Sequence, residues 1–269
     1  MARLRHSRLR TAFADALQTR RVNLVGYYNV DVKAGKYSMI ALNIDPMNQE
    51  KAATLDELFP FNDKMAKSSS AGAADRIQTW DYEKQTYRNY FMYYSSTKTG
   101  VDPKSYHWVE NLPSEGYPLA SEGLKTGDCV FYYALNNANT FSLPGQVPNE
   151  AAGVLKQGYN MIGVGFPSQW CPNDAGTDFW KDNTKFAMGS SAGAADRIQY
   201  WDEAGQTYRY FFLFYSTTKT GVDPKSYQWV ENLPGDGYPV LNEKLDTGAG
   251  FFYYRQKAGE IEFKPGLKL

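Results

Sequence analysis

The chain contains one block written twice. From Ser69 to Tyr133 it reads SSAGAADRIQTWD, YHWVENLPSEGYP and TGDCVFYY, and from Ser190 to Tyr254 it reads SSAGAADRIQYWD, YQWVENLPGDGYP and TGAGFFYY. The copies align without a gap at a constant offset of 121 residues, and 45 of the 65 paired positions are identical. Self-similarity at a fixed period marks a tandem duplication of one structural unit, and a unit of this length can bury a core of its own. The offset carries on through the Pro-Gly pairs at 144–145 and 265–266. The expected organisation is therefore a leader at 1–21, a first β unit at 22–145 and its duplicate at 146–269.

The hydrophobic pattern has period two. Val22, Leu24, Gly26, Tyr28, Val30 and Val32 alternate with a second set of residues, the mark of a half-buried strand. The Lys33-Ala34-Gly35-Lys36 turn then predicts a hairpin into a second strand from Tyr37 to Ile44. The C-terminal half echoes that second strand at Gly158 to Ile162, with the first strand missing or shortened. Ala53 to Phe59 reads as one or two helical turns capped by Thr54 and stopped by Pro60; its counterpart near Thr177 to Trp180 is weaker. Inside the repeated block, strands are expected at Arg76–Trp80, Tyr87–Ser95, Tyr106–Glu110 and Val130–Tyr133, and at the corresponding places of the second copy. The long strand from Tyr208 is apolar on both faces, as in a strand covered on both sides. Short strands with turn signals about every 10 residues indicate an all-β protein, two small sandwich or barrel domains packed together.

Formal net charge is zero, but residues 1–21 hold six Arg and one Asp, which places +5 on the leader and −5 on the rest. Leu9, Ala12, Phe13, Ala16 and Leu17 at helical spacing predict a short basic amphipathic helix there. No apolar run of secretory-signal length follows it. Such a helix suits an anionic membrane surface or the acidic body behind it. The acidic remainder offers no basic field for nucleic acid, and no stretch approaches the roughly 18 consecutive apolar residues of a membrane span.

Only His6 and His107 are present, and the second copy has Gln228 in place of His107, so a repeated histidine-based centre is not expected. The repeated carboxylates Asp75/Asp196, Asp81/Asp202, Asp102/Asp223 and Glu110/Glu231 are candidates for the acid pair of a glycoside hydrolase. Each also sits where a turn or strand end would use it. No phosphate-binding glycine loop, zinc spacing or calcium-loop register appears, so neither a metal nor a cofactor is expected. Cys129 and Cys171 lie in different halves, and Cys129 is matched by Gly250. If paired they would close a loop of about 42 residues and stabilise the fold by on the order of 4 kcal/mol; otherwise they are two free thiols. The aromatic groups Tyr106, Trp108 and Tyr117, repeated as Tyr227, Trp229 and Tyr238, have two readings. They pack the core, or they present flat rings to a sugar or to a neighbouring subunit.

The segments VGYYNVDVKAGKYSMIALNI at 25–44, GYNMIGVGF at 158–166, RIQTWD and RIQYWD, and GAGFFYY at 248–254 carry a further signal. They resemble those of exported, mostly uncharacterised bacterial tandem-repeat β proteins. The first copy departs from the pattern with GDCVFYY, where Cys129 replaces the second glycine. The resemblance implies export to the cell surface or medium and a non-enzymatic role. The leading expectation is a structural or adhesive module of a cell surface or extracellular assembly, making contacts with itself or with other surface proteins. A carbohydrate-binding protein with paired aromatic sites is the alternative, and a carboxylate-dependent glycoside hydrolase the third.

Overall fold

Strands dominate the chain, which belongs to the all-β class. A computed structural model describes residues 25–46, 52–121, 123–148, 153–174 and 178–263; the leader expected to be helical lies outside them. The main strands of the first half are β1 (Val25–Val32), β2 (Lys36–Ala41), β3 (Arg76–Asp81), β4 (Thr86–Met92), β5 (Trp108–Glu110), β6 (Cys129–Ala134) and β7 (Asn139–Gln146). Those of the second half are β8 (Gly153–Leu155), β9 (Gly158–Ile162), β10 (Arg197–Asp202), β11 (Thr207–Phe214), β12 (Gln228–Glu231), β13 (Phe251–Arg255) and β14 (Ile261–Phe263). One five-stranded antiparallel sheet has the order β2-β6-β3-β4-β5 and the other β9-β13-β10-β11-β12. No helix among the described residues is long and apolar enough to cross a membrane.

The hairpin expected between the first two strands does not form. β1 pairs with β7, from Val25↔Gln146 to Val32↔Asn139, whereas β2 pairs with β6, from Lys36↔Ala134 to Ala41↔Cys129. The turn at 33–36 thus carries the chain from an outer sheet into the five-stranded one. Alternation specifies which residues are buried and leaves the identity of the neighbouring strand open. In the second half the outer strand is shortened to β8, which pairs with β14. The short helix α1 (Leu55–Leu58) forms as the sequence indicates: Thr54 Oγ1 accepts the Glu57 amide, and the Glu57 carboxylate accepts the Thr54 amide at 2.8 Å.

Period two sends the side chains of each large sheet into two different cores. Ile40, Val130 and Tyr132 face a core closed by Val32 of β1, Phe141 of β7, and Leu55 and Phe59 around α1. The C-terminal half has its own, richer in large rings, with Trp170, Trp180, Trp229 and Tyr253. Between the two sheets lies a third core, in which Met39, Ala41, Cys129 and Phe131 meet Met161 and Phe252.

Contacts around this shared core come in reciprocal pairs. Trp80 Nε1 donates to the Tyr159 carbonyl at 3.0 Å, and Trp201 Nε1 donates to the Tyr37 carbonyl at 2.9 Å. The Gln85 amide clamps the backbone of Tyr159, accepting its N–H at 2.7 Å and donating to its carbonyl at 3.2 Å. Gln206 does the same to Tyr37 at 2.8 and 3.0 Å. In the main chain, Ala41 N donates to Gly248 O and Gly163 N to Gly127 O, both at 2.8 Å. Each contact is made twice with the halves exchanged, as in an isologous interface. Where matching residues meet one another, reciprocity fails in a regular way. A Cβ at Gly250 would lie 2.0 Å from Cys129 Sγ, and a Cβ at Gly163 would lie 2.3 Å from Ala41 Cβ. One member of each pair has a side chain and the other has none.

Candidate functional site

Trp108 and Trp229 do not form a surface platform: both are fully buried. Trp108 Nε1 donates to the Phe59 carbonyl at 2.8 Å and Trp229 Nε1 to the Trp180 carbonyl at 3.3 Å, so each indole has its polar atom satisfied inside the core. In an uninterrupted strand Tyr106 and Trp108 would share a face. The strand begins only after Tyr106, whose φ is 69°, and Tyr227 repeats the break with φ of 68°. The left-handed backbone reverses the alternation, so the tryptophans point inward while Tyr106 and Tyr227 remain 39% and 37% exposed.

Left-handed φ costs a non-glycine residue on the order of 1–2 kcal/mol, and it persists where surrounding structure holds it. Here the preceding Asp-Pro turn does so. Lys104 N donates to Asp102 Oδ1 at 2.9 Å, Ser105 N to Asp102 O at 2.9 Å, and Tyr106 N to Tyr93 O at 2.8 Å, and Asp223 repeats the arrangement for Tyr227. Tyr117 and Tyr238 also have positive φ, 56° and 57°. Their rings are half-buried and stand edge-on to Phe91 and Phe212 at 5.3 Å, closing small satellite clusters. Of the six aromatic candidates, Tyr106 and Tyr227 alone are exposed.

Each exposed tyrosine pairs with a second ring, Tyr106 with Tyr94 and Tyr227 with Tyr215, at 5.3 Å in both halves. Their surroundings differ. Beside Tyr106, Lys67 Nζ stands 4.6, 5.3 and 5.8 Å from the ring centroids of Phe61, Tyr106 and Tyr94. Beside Tyr227 there is an open pocket of about 420 Å³, lined by Asn183, Phe186, Met188, Tyr215 and Lys257 among others. That volume falls within the range of about 300–1,000 Å³ usual for small-molecule sites. Two further clefts, about 220 and 380 Å³, lie where the halves meet. The smaller carries Asp31, Glu203 and Asp246, and the larger carries Lys125, Lys156 and Asp128.

The repeated carboxylates are engaged one by one. Asp81 and Asp202 accept the amides of their own turns, and Glu110 and Glu231 hold Arg88 and Arg209 through paired hydrogen bonds of 2.8–3.0 Å. Asp75 and Asp196 are different: both are buried in the core instead of serving a turn or strand end. Asp75 accepts the Tyr132 hydroxyl and the Leu135 amide, each at 2.8 Å; Asp196 accepts the Tyr253 hydroxyl and the Gln256 amide, each at 2.7 Å. Burial pushes both carboxyls above their ordinary value, against the pull of these hydrogen bonds. The signal available in the sequence was the joint repetition of Asp75 with Tyr132 as Asp196 with Tyr253.

His107 Nδ1 lies 3.0 Å from Asp56 Oδ2, whose other oxygen accepts the Trp108 amide. In the second half the Asn173 side-chain oxygen accepts the Trp229 amide at 2.9 Å, so a carboxylate in one copy and a carboxamide in the other brace the same strand. Cys129 and Cys171 are free and buried; the disulfide is not formed, and burial raises both thiols, which keeps them protonated. Among the described residues no group of three or more His, Cys, Asp or Glu side chains is placed to hold a metal ion. Comparison with family models, curated proteins and solved structures gives no match to this chain.

Proposed function

We propose that the chain is a non-enzymatic, carbohydrate-binding adhesive protein of a cell surface or extracellular assembly, built from two homologous β units at 22–145 and 146–269. The reciprocal contacts between the halves support the two-unit reading, and the resemblance to exported repeat proteins supports the location. The observation that carries the binding reading is Tyr227, held with its ring exposed by a left-handed backbone beside an open pocket. A flat aromatic face offers a sugar's C–H groups a large apolar contact. The Asn183 amide and the Lys257 ammonium supply rim donors for hydroxyl groups.

A glycan array followed by titration tests this. Tyr227→Ala is expected to weaken binding at least about tenfold, the loss usual for a central aromatic anchor, with an unchanged melting temperature because the ring is outside the core. Absence of binding to every polysaccharide on the array overturns the reading.

One observation favours protein contacts as a second activity. β1 exposes Val25 and Tyr27, the latter 71% accessible, on the outer sheet. If that strand mediates self-association, Tyr27→Ser shifts the protein toward monomer in sedimentation velocity. A wild-type protein that is monomeric at all concentrations removes this reading.

A further inference from the structure

Resting on the carbohydrate reading, we propose that the two aromatic sites have diverged into one open and one closed: the pocket beside Tyr227 takes a sugar ring, whereas the surface beside Tyr106 is occupied by the chain's own Lys67. The two places are structurally the same. Asp75 N donates to Ala66 O at 2.8 Å and Asp196 N to Ala187 O at 2.9 Å, and Ser68 N and Gly189 N donate to Met92 O and Leu213 O, both at 3.2 Å. Lys67 and Met188 therefore occupy one backbone position in register. The tyrosine pairs share their ring spacing and their left-handed φ.

What differs is the occupant. An ammonium within about 6 Å of a ring centroid is attracted to the ring's negative face, and Lys67 meets that condition for three rings at once. Its side chain lies over the aromatic surface that a sugar would need. In the second copy Met188 brings no charge, and Asp182 stands in place of Phe61, the ring that completes the cluster around Lys67. The tyrosines are left facing a cavity. Lys257 Nζ already donates to Asn183 O at 2.9 Å and Thr184 O at 3.1 Å. One of its three N–H groups is left for a ligand oxygen. The chemical class that fits is a pyranose with one apolar face and a hydroxyl-rich edge.

The test compares wild type, Lys67→Met and Met188→Lys by titration calorimetry with cellohexaose, xylohexaose, mannohexaose and chitohexaose. Each substitution installs the residue that the other copy carries at a partly exposed position, and matched melting curves establish that the fold is kept. The expected stoichiometry is one site for wild type, two for Lys67→Met and none for Met188→Lys. Two sites in wild type, a single site in Lys67→Met, or undiminished binding by Met188→Lys overturns the closed-site proposal while leaving carbohydrate binding in place. No heat from any of the four sugars with either wild type or Lys67→Met overturns both.

Discussion

Gly250→Ala is expected to cost about 3 kcal/mol, a fall of roughly 6–12 °C in melting temperature for a chain of this size. The added Cβ would lie 2.0 Å from Cys129 Sγ and 3.3 Å from both Cys129 Cβ and Met39 Cγ. The Cys129 thiol, the nearest of these atoms, is enclosed by Phe131, Phe252 and the rest of the shared core. Cys129→Gly removes the obstacle at the price of a void, and alone is expected to cost about 1–2 kcal/mol. Combined with Gly250→Ala it should recover most of the loss, since the new methyl group enters the space the thiol vacated. Thermal denaturation of the two single variants and the double variant gives the coupling energy directly. Additive losses, or an unaffected Gly250→Ala, would show that these residues do not meet. The same geometry explains why the copies diverge here. Cysteine on both sides would overfill the centre and glycine on both would leave it empty, so one of each is the solution that packs.

Much of the fold was legible because its causes are local or periodic. The repeat locates the matching strands, Thr54 marks the helix cap, and the two apolar faces of the strand from Tyr208 imply cover on both sides, which the strand has over Phe211–Phe214 while Tyr210 stays exposed. Phe211 and Leu213 face one core while Phe212 and Phe214 face another. Strand partnership was not legible: the turn at Lys33 looks like a hairpin whether or not its strands pair. The candidate site depended on backbone signs that residue types do not display. Tyr106 and Trp108 read as neighbours on one face, and one positive φ at Tyr106 separates them into surface and core. The clamp by Gln85 and Gln206 was hidden for the same reason, since both have left-handed φ in turns that otherwise look merely polar.

The other large effect is expected at the buried acids. Asp75→Ala strands the Tyr132 hydroxyl and the Leu135 amide, each of which the carboxylate now accepts at 2.8 Å. An unsatisfied buried group costs about 1–3 kcal/mol, so the variant should lose about 4 kcal/mol, and Asp196→Ala should match it through Tyr253 and Gln256. Asp75→Asn is expected to lose much less, because its oxygen still accepts the Leu135 amide and its NH₂ can donate to the phenol oxygen. The two variants also separate by pH. A carboxyl raised above its ordinary value of 3.8 keeps its proton longer in the folded state than in the unfolded one. Between those two values the folded state binds more protons, so the contribution of Asp75 is complete below 3.8 and is lost as the pH rises through the folded value. The groups facing it are the Tyr132 hydroxyl and backbone amides; Asp196 has Arg255 nearby in addition. Urea denaturation of wild type from acid toward neutral pH should therefore show a declining component that Asp75→Asn, combined with Asp196→Asn, removes. An identical pH slope in the double asparagine variant would show that these carboxyls ionise in the fold as they do in water.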